Sequence, residues 1–238
     1  MKIIPLQEGN YFVDKNRAFI PLTSAINEQG LKLAVQPFLV ITDTDYILIE
    51  TGSGHENLGR PIIKDLLAKE GITSEHITKV FLTHFHKDHI DGLGIIKEGK
   101  YQLNFPNAQV FGQKREYEYA LLQTQSTSYN FQKLISLQDL SNMVWMNEDS
   151  GYLTPEISYQ VVGGHSPYLQ VFWMKDDTET YFFGSDNLPQ ESYWQHSIAY
   201  KSDYDDKKAR DLRTQWKQQA QEENWKILLY HDMGKTII

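Results

Sequence analysis

With 238 residues, 40% of them hydrophobic and 13% aromatic, the chain can bury a substantial core and reads as one globular domain over 1–238, not as a disordered polymer. A formal net charge of -8, from 31 acidic and 23 basic residues, argues against general binding to nucleic acid or to an anionic membrane, which needs a basic surface. There is no cysteine, which excludes disulfides and thiolate chemistry.

In chain order, Met1-Lys2-Ile3-Ile4-Pro5-Leu6-Gln7-Glu8 turns polar too soon for the apolar core of a signal peptide. No later run approaches a membrane span, so a cytoplasmic location is expected. Residues 11–50 are strand-rich. Tyr11-Phe12-Val13, Phe19-Ile20 and Phe38-Leu39-Val40-Ile41 are separated by turn chemistry, and Asp43-Thr44-Asp45 turns into Tyr46-Ile47-Leu48-Ile49. That strand enters the Gly-rich loop Glu50-Thr51-Gly52-Ser53-Gly54. Over 60–69, Ile62, Ile63, Leu66 and Leu67 fall at helical spacing, with Pro61 suited to the first turn and Gly71 to the stop. A strand Val80-Phe81-Leu82 leads to a polar loop and a helix-like piece from His89 through Leu93. The stretch containing Gly99, Asn104, Pro106 and Asn107 reads as an open connection to the strand Gln109-Val110-Phe111. A helix over 114–123 buries Tyr117, Ala120 and Leu121, and the Ser/Gln-rich residues 124–142 suit either a helix or a flap.

The second half repeats the strand pattern over 157–162, 169–174 and 181–183, the last after a turn at Asp176-Asp177. A long helix over 205–222 carries the apolar stripe Ala209, Leu212, Trp216 and Ala220. Asp203 is its candidate N-cap, and Lys207, Lys208, Arg210, Arg213 and Lys217 read as its solvated face. Ile227-Leu228-Leu229-Tyr230 is the final strand. The strand-helix order recurs twice, which suits two layers of sheet covered outside by helices.

The chemistry concentrates in Thr83-His84-Phe85-His86-Lys87-Asp88-His89. Imidazole and carboxylate suit zinc and other borderline divalent metals. His84 and His86 alternate, so on an extended backbone they share a side and can share an ion. Asp88 and His89 follow a turn and aim elsewhere, which suggests two neighbouring metals. Three more candidates sit where an apolar strand gives way to a polar loop: His165, Asp186 and His231. Any one of them alone would be ordinary.

His-x-His-x-Asp-His at 84–89, Gly-His-Ser-Pro at 164–167, the lone Asp at 186 and His-Asp at 231–232 make the chain resemble the metallo-β-lactamase superfamily from Glu50 to His231. Within it, Arg115-Glu116-Tyr117-Glu118 and His231-Asp232 resemble the compact lactonase-like metallo-hydrolases. The resemblance implies an α+β fold: an αββα sandwich of two mixed sheets flanked by helices, with a dinuclear centre at one edge. It implies that His84, His86 and His165 hold one metal, that Asp88, His89 and His231 hold the other, and that Asp186 bridges them. Glu50 stands where the family has an Asp that supports a ligating histidine from behind. Two divalent ions are expected, with Zn2+ favoured and Mn, Fe or Co compatible with the same ligands.

The implied activity is hydrolysis of a small ester, lactone, thioester, amide or phosphoester by a metal-bridging hydroxide. Asp186 orients the nucleophile and Asp88 relays a proton to the leaving group. The expected partner is a small-molecule substrate, with oligomeric state left open. The chain departs from the lactonases in continuing Gly-His-Ser-Pro with Tyr168-Leu169, and in placing Pro189 where they have a substrate-polarising Tyr. Tyr193 is the nearest replacement, and His196, on the same loop as Asp186, is a second candidate substrate contact. His55 reads as a loop residue and His76 as a surface one. Specificity is assigned to 23–36, 124–142 and 187–204. The competing reading is a catalytically silent, metal-stabilised binding or sensor protein, which would be expected to have lost ligands; none is missing.

Overall fold

In a computed structural model the described residues are 1–23 and 30–238, so part of the specificity segment 23–36 lies outside them. The chain divides into two compact units, Met1–Met146 and Asn147–Ile238.

The first unit opens on a strand that the sequence did not announce, β1 (Lys2–Pro5). A three-stranded antiparallel sheet follows, β2 (Gly9–Val13), β3 (Phe19–Pro21) and β4 (Leu31–Val35), ordered β3-β2-β4. β5 (Phe38–Ile41) and β6 (Tyr46–Ile49) form the expected hairpin, closed by Thr42 N–H donating to Asp45 O at 3.0 Å. The small ribbon β7 (Glu56–Asn57) and β8 (Arg60–Pro61) leads into α1 (Ile62–Lys69), which Gly71 ends with φ of 73°. β9 (Lys79–Phe81) precedes α2 (Lys87–Ile90), which starts two residues before the expected helix-like piece.

Where an open connection was expected, β10 (Gly94–Lys97) and β11 (Lys100–Leu103) form a hairpin, because Glu98 (φ 53°) and Gly99 (φ 75°) both adopt the left-handed conformation of a tight turn. β12 (Gln109–Gln113) and β13 (Met143–Met146) complete a mixed sheet ordered β1-β5-β6-β9-β12-β13. Between them lie α3 (Lys114–Leu122) and α4 (Phe131–Leu137). Within 124–142 the residues 131–137 are helical, and Asn130 caps α4 by accepting from Lys133 N. Leu39, Leu48, Val80 and Val110 on one sheet face join one core with Ile63 and Leu67 of α1, Tyr117 and Ala120 of α3, and Leu134 and Leu137 of α4. The central strands are buried on both faces, which is why they read as unbroken apolar runs.

The second unit is a five-stranded sheet in chain order: β14 (Ser150–Tyr152), β15 (Ile157–Val161), β16 (Gln170–Lys175), β17 (Thr180–Phe183) and β18 (Trp225–Leu228). All its pairings are antiparallel except β17 with β18. β15, β17 and β18 consequently run the same way and end at one edge. α5 (Glu191–Gln195) precedes α6 (Asp206–Glu223), which packs Trp216 and Ala220 into one core with Val171, Phe182 and Ile227. A buried aromatic of this kind stabilises by roughly 1.5–3 kcal/mol.

Two expectations for α6 are corrected. Its N-cap is Asp205, whose side chain accepts from Lys208 N at 3.0 Å; Asp203 lies too far ahead of the first turn. Arg213 is not solvated but 3% exposed, donating from Nη1 to Asn187 O and from Nη2 to Ile198 O. The cause is its position: four residues after Ala209 and three before Trp216, it shares their face. Among the described residues no helix is long and apolar enough to cross a membrane.

Candidate metal centre

In the first unit, β6 and β9 are parallel neighbours, so their C-terminal ends deliver Glu50 and Thr83-His84 to the same edge; Glu50 N–H donates to Phe81 O at 3.0 Å. Glu50 is fully buried, with φ of 61°. Its Oε1 accepts from Thr83 N at 3.1 Å and from the Thr83 hydroxyl, and lies 3.4 Å from His89 Nδ1. Because the Thr83 hydroxyl donates to Glu50, it accepts from His84 Nδ1 at 3.0 Å. Through Thr83 the Glu50 carboxylate orients His84 with Nδ1 protonated and Nε2 carrying the lone pair, while at 3.4 Å it gives His89 Nδ1 a charge contact. Glu50, His84 and His89 form a cluster able to hold an ion. Burial drives the Glu50 pKa upward, opposed by His89 and Thr83.

His84 Nε2 and His86 Nδ1 are 3.0 Å apart, and His89 Nε2 lies 3.8 Å from Asp88 Oδ2. Two donors on one tetrahedral zinc are about 3.3 Å apart, given ~2.0–2.1 Å bonds. The first pair is spaced close to this, and the second is slightly looser. The ligand turn is pinned by Thr51, whose N–H and Oγ1 both donate to His89 O at 2.8 Å. Gly92 is required there, since a Cβ would stand 1.9 Å from Thr51 O. Tyr129, from the segment before α4, packs its ring 4.8 Å from that of His86.

In the second unit, the ends of β15, β17 and β18 lead to His165, Asp186 and His231. Gly163 and Gly164, with φ of 65° and 104°, turn the chain into His165. Asp186 faces one histidine with each carboxylate oxygen: Oδ2 is 3.3 Å from His165 Nε2, and Oδ1 is 3.2 Å from His231 Nε2. Asn187 Oδ1 accepts from His165 N at 2.8 Å, and its Nδ2 donates to Gly163 O at 2.7 Å. Pro189, where lactonases have tyrosine, accepts from His231 N at 3.0 Å.

The proposed substrate contacts divide. Tyr193 lies under Arg213, whose Cζ is 5.1 Å from the ring centre. Its phenol is pushed up to about 12 by burial and by the carboxylates of Asp203 and Asp186, against Arg213, so it stays a hydroxyl donor at neutral pH. His196 is exposed at the end of α5, where its N–H donates to Ser192 O. His55 Nδ1 is 2.5 Å from Ser53 Oγ, and Glu8 accepts from Ser53 N at 2.9 Å and Tyr11 OH at 2.8 Å, which ties the loop to β2. His76 Nδ1 accepts from Thr73 N at 3.1 Å.

Asp91, just beyond the ligand motif, is half-buried and accepts from Asn130 Nδ2 at 3.0 Å. Burial first, then the charge of Asp88, raises its pKa from 3.8 to about 6, against Lys133, Asn130 and Lys87. A raised carboxyl holds its proton more tightly in the folded state, so its contribution is present near pH ~4 and is lost as pH rises through about 6. In metal-free protein, Asp91→Asn is expected to gain stability relative to the parent between about pH 5 and about pH 7.5. Urea midpoints at both pH values test this, and an unchanged difference would refute it.

The family model of the metallo-beta-lactamase superfamily matches residues 32–198. The chain belongs to this superfamily. No curated protein matches its sequence. Among solved structures it is similar to a probable metal-dependent hydrolase from Staphylococcus aureus, at 18% identity and a TM-score of 0.80 over 99% of this chain and 91% of the other. It is also similar to AidC, a dizinc quorum-quenching lactonase, at 22% identity and a TM-score of 0.70 over 87% and 75% of the two chains. A third is an N-acyl homoserine lactone hydrolase with the product N-hexanoyl-L-homoserine at its catalytic metal center, at 21% identity and a TM-score of 0.72 over 98% and 93%. Likeness at these identities carries the fold. The metallo-β-lactamase fold, with its mixed sheets and helices, is the one expected from the motifs.

Proposed function

We propose that this metallo-β-lactamase superfamily member is a dinuclear metal-dependent hydrolase of a small carboxylic ester or lactone. In this reading His84, His86 and His165 would hold one divalent cation, Asp88, His89 and His231 would hold the other, and Asp186 would be shared between them. The observation that carries it is Asp186, with one carboxylate oxygen on the His165 side and the other on the His231 side. The donor set of imidazole nitrogens and carboxylates fits zinc, with Mn, Fe or Co compatible. The lactonases among the structural neighbours support the substrate class.

Two divalent cations, if held there, would supply positive charge for the substrate oxygen and would lower the pKa of water toward ~7. The chain's own groups do the rest. Asp186 would orient the attacking water by accepting its hydrogen bond. The Tyr193 hydroxyl donates to the substrate carbonyl oxygen, in place of the tyrosine replaced by Pro189, and strengthens that bond as negative charge develops. Asp88 would take the proton that the water loses on adding to the carbonyl carbon and pass it to the leaving-group oxygen as the C–O bond breaks. His196 contacts the outer part of the substrate.

Metal analysis joined to a panel of lactone, ester, β-lactam and phosphoester substrates tests the proposal. Two equivalents of metal, lactone or ester turnover, and its loss on chelation are expected. A protein that binds no divalent metal, or that turns over after full chelation, would overturn it.

A further inference from the structure

Asp203 contributes a buried carboxylate that capping does not use. Its side chain is 2% exposed, and Oδ1 lies 2.7 Å from His165 Nδ1. The helix that it precedes is capped by Asp205 instead. The residues after it grip the same loop through their backbone: Tyr204 N–H donates to His165 O at 3.1 Å and Asp205 N–H to Gly164 O at 2.8 Å. Nearby Arg213 adds its positive charge to the surroundings of Asp203 but gives its own hydrogen bonds to the carbonyls of Asn187 and Ile198. Keeping a carboxylate out of water with an imidazole as its strong partner is costly unless that imidazole has a task to be oriented for.

We infer that Asp203 is the positioning residue of His165: it accepts Nδ1–H, fixes the ring as the tautomer with its lone pair on Nε2, and aims that nitrogen toward the side where Asp186 Oδ2 lies 3.3 Å away. The inference rests on the proposed ligand role of His165. It gives the two metals unequal support. His84 and His89 draw on the single Glu50 carboxylate, whereas His165 has one of its own.

The test is zinc affinity measured by competition with a chromophoric chelator, on the parent, Asp203→Asn and Asp205→Ala. Asp203→Asn is expected to weaken one of two zinc ions roughly 10–100-fold and leave the other unchanged. Asp205→Ala, which removes only the cap, is expected to lower thermal stability with both affinities kept. Two tightly held ions in Asp203→Asn would overturn the inference, whereas no zinc in the parent would overturn the proposed function instead. Nitrogen-15 spectra of the zinc-loaded parent provide a second readout, independent of whether the variant folds. A protonated Nδ1 on His165 is expected, and an unprotonated one refutes the inference.

Discussion

Asp186→Asn is expected to lower kcat/KM by roughly 10²–10³-fold or more, the scale seen when one electrostatic element of an active site is removed. The change is nearly isosteric and leaves the backbone of its turn alone, so little stability should be lost. What changes is one oxygen. An amide nitrogen donates and cannot ligate, so one of the two histidine-facing positions, 3.3 Å from His165 Nε2 or 3.2 Å from His231 Nε2, loses its acceptor. Steady-state kinetics with metal content measured on the same samples checks this. A variant that keeps both ions and full turnover would remove Asp186 from the mechanism.

Glu50→Ala is expected to be the most damaging single change to the fold of the first unit. It strands the Thr83 N–H and the Thr83 hydroxyl at a position with no solvent exposure, and it removes the charge beside His89. Breaking a buried charged partnership of this kind costs roughly 3–5 kcal/mol, against a typical total of ~5–15 kcal/mol for a domain. Glu50→Asp restores the residue usual in the family but is one methylene shorter. It is expected to retain Thr83 and fall short of His89, which lowers affinity for one metal by roughly 10–100-fold. Denaturant melts and chelator competition separate the two effects. Unchanged stability in Glu50→Ala would show that the carboxylate is not holding the histidines.

Much of the candidate site was legible because its parts are local. His84 and His86 alternate on one extended stretch, and His165, Asp186 and His231 each follow an apolar strand, so strand-end position together with the family motifs named them as candidates. The central strands were readable for the same reason. What escaped depends on distant partners. Asp203 meets His165 across 38 residues, and an Asp ahead of a helix reads as a cap until Asp205 is seen doing that job. Arg213 sat among basic residues that suggested solvent, and only the phase it shares with Ala209 and Trp216 places it inside. The β10–β11 hairpin was hidden because a left-handed Glu98 is a poor turn signal, and β1 because four residues make too short a pattern.

The segment from Pro189 to Asp205 touches both histidine loops of the second unit, through Pro189 O on His231 and through Asp203, Tyr204 and Asp205 on His165 and Gly164. Loop grafting between relatives commonly treats such a stretch as an interchangeable selectivity cassette. In this chain a chimera exchanging it would also exchange the scaffolding of two ligands, and a dead chimera would report on cation retention before it reported on substrate choice.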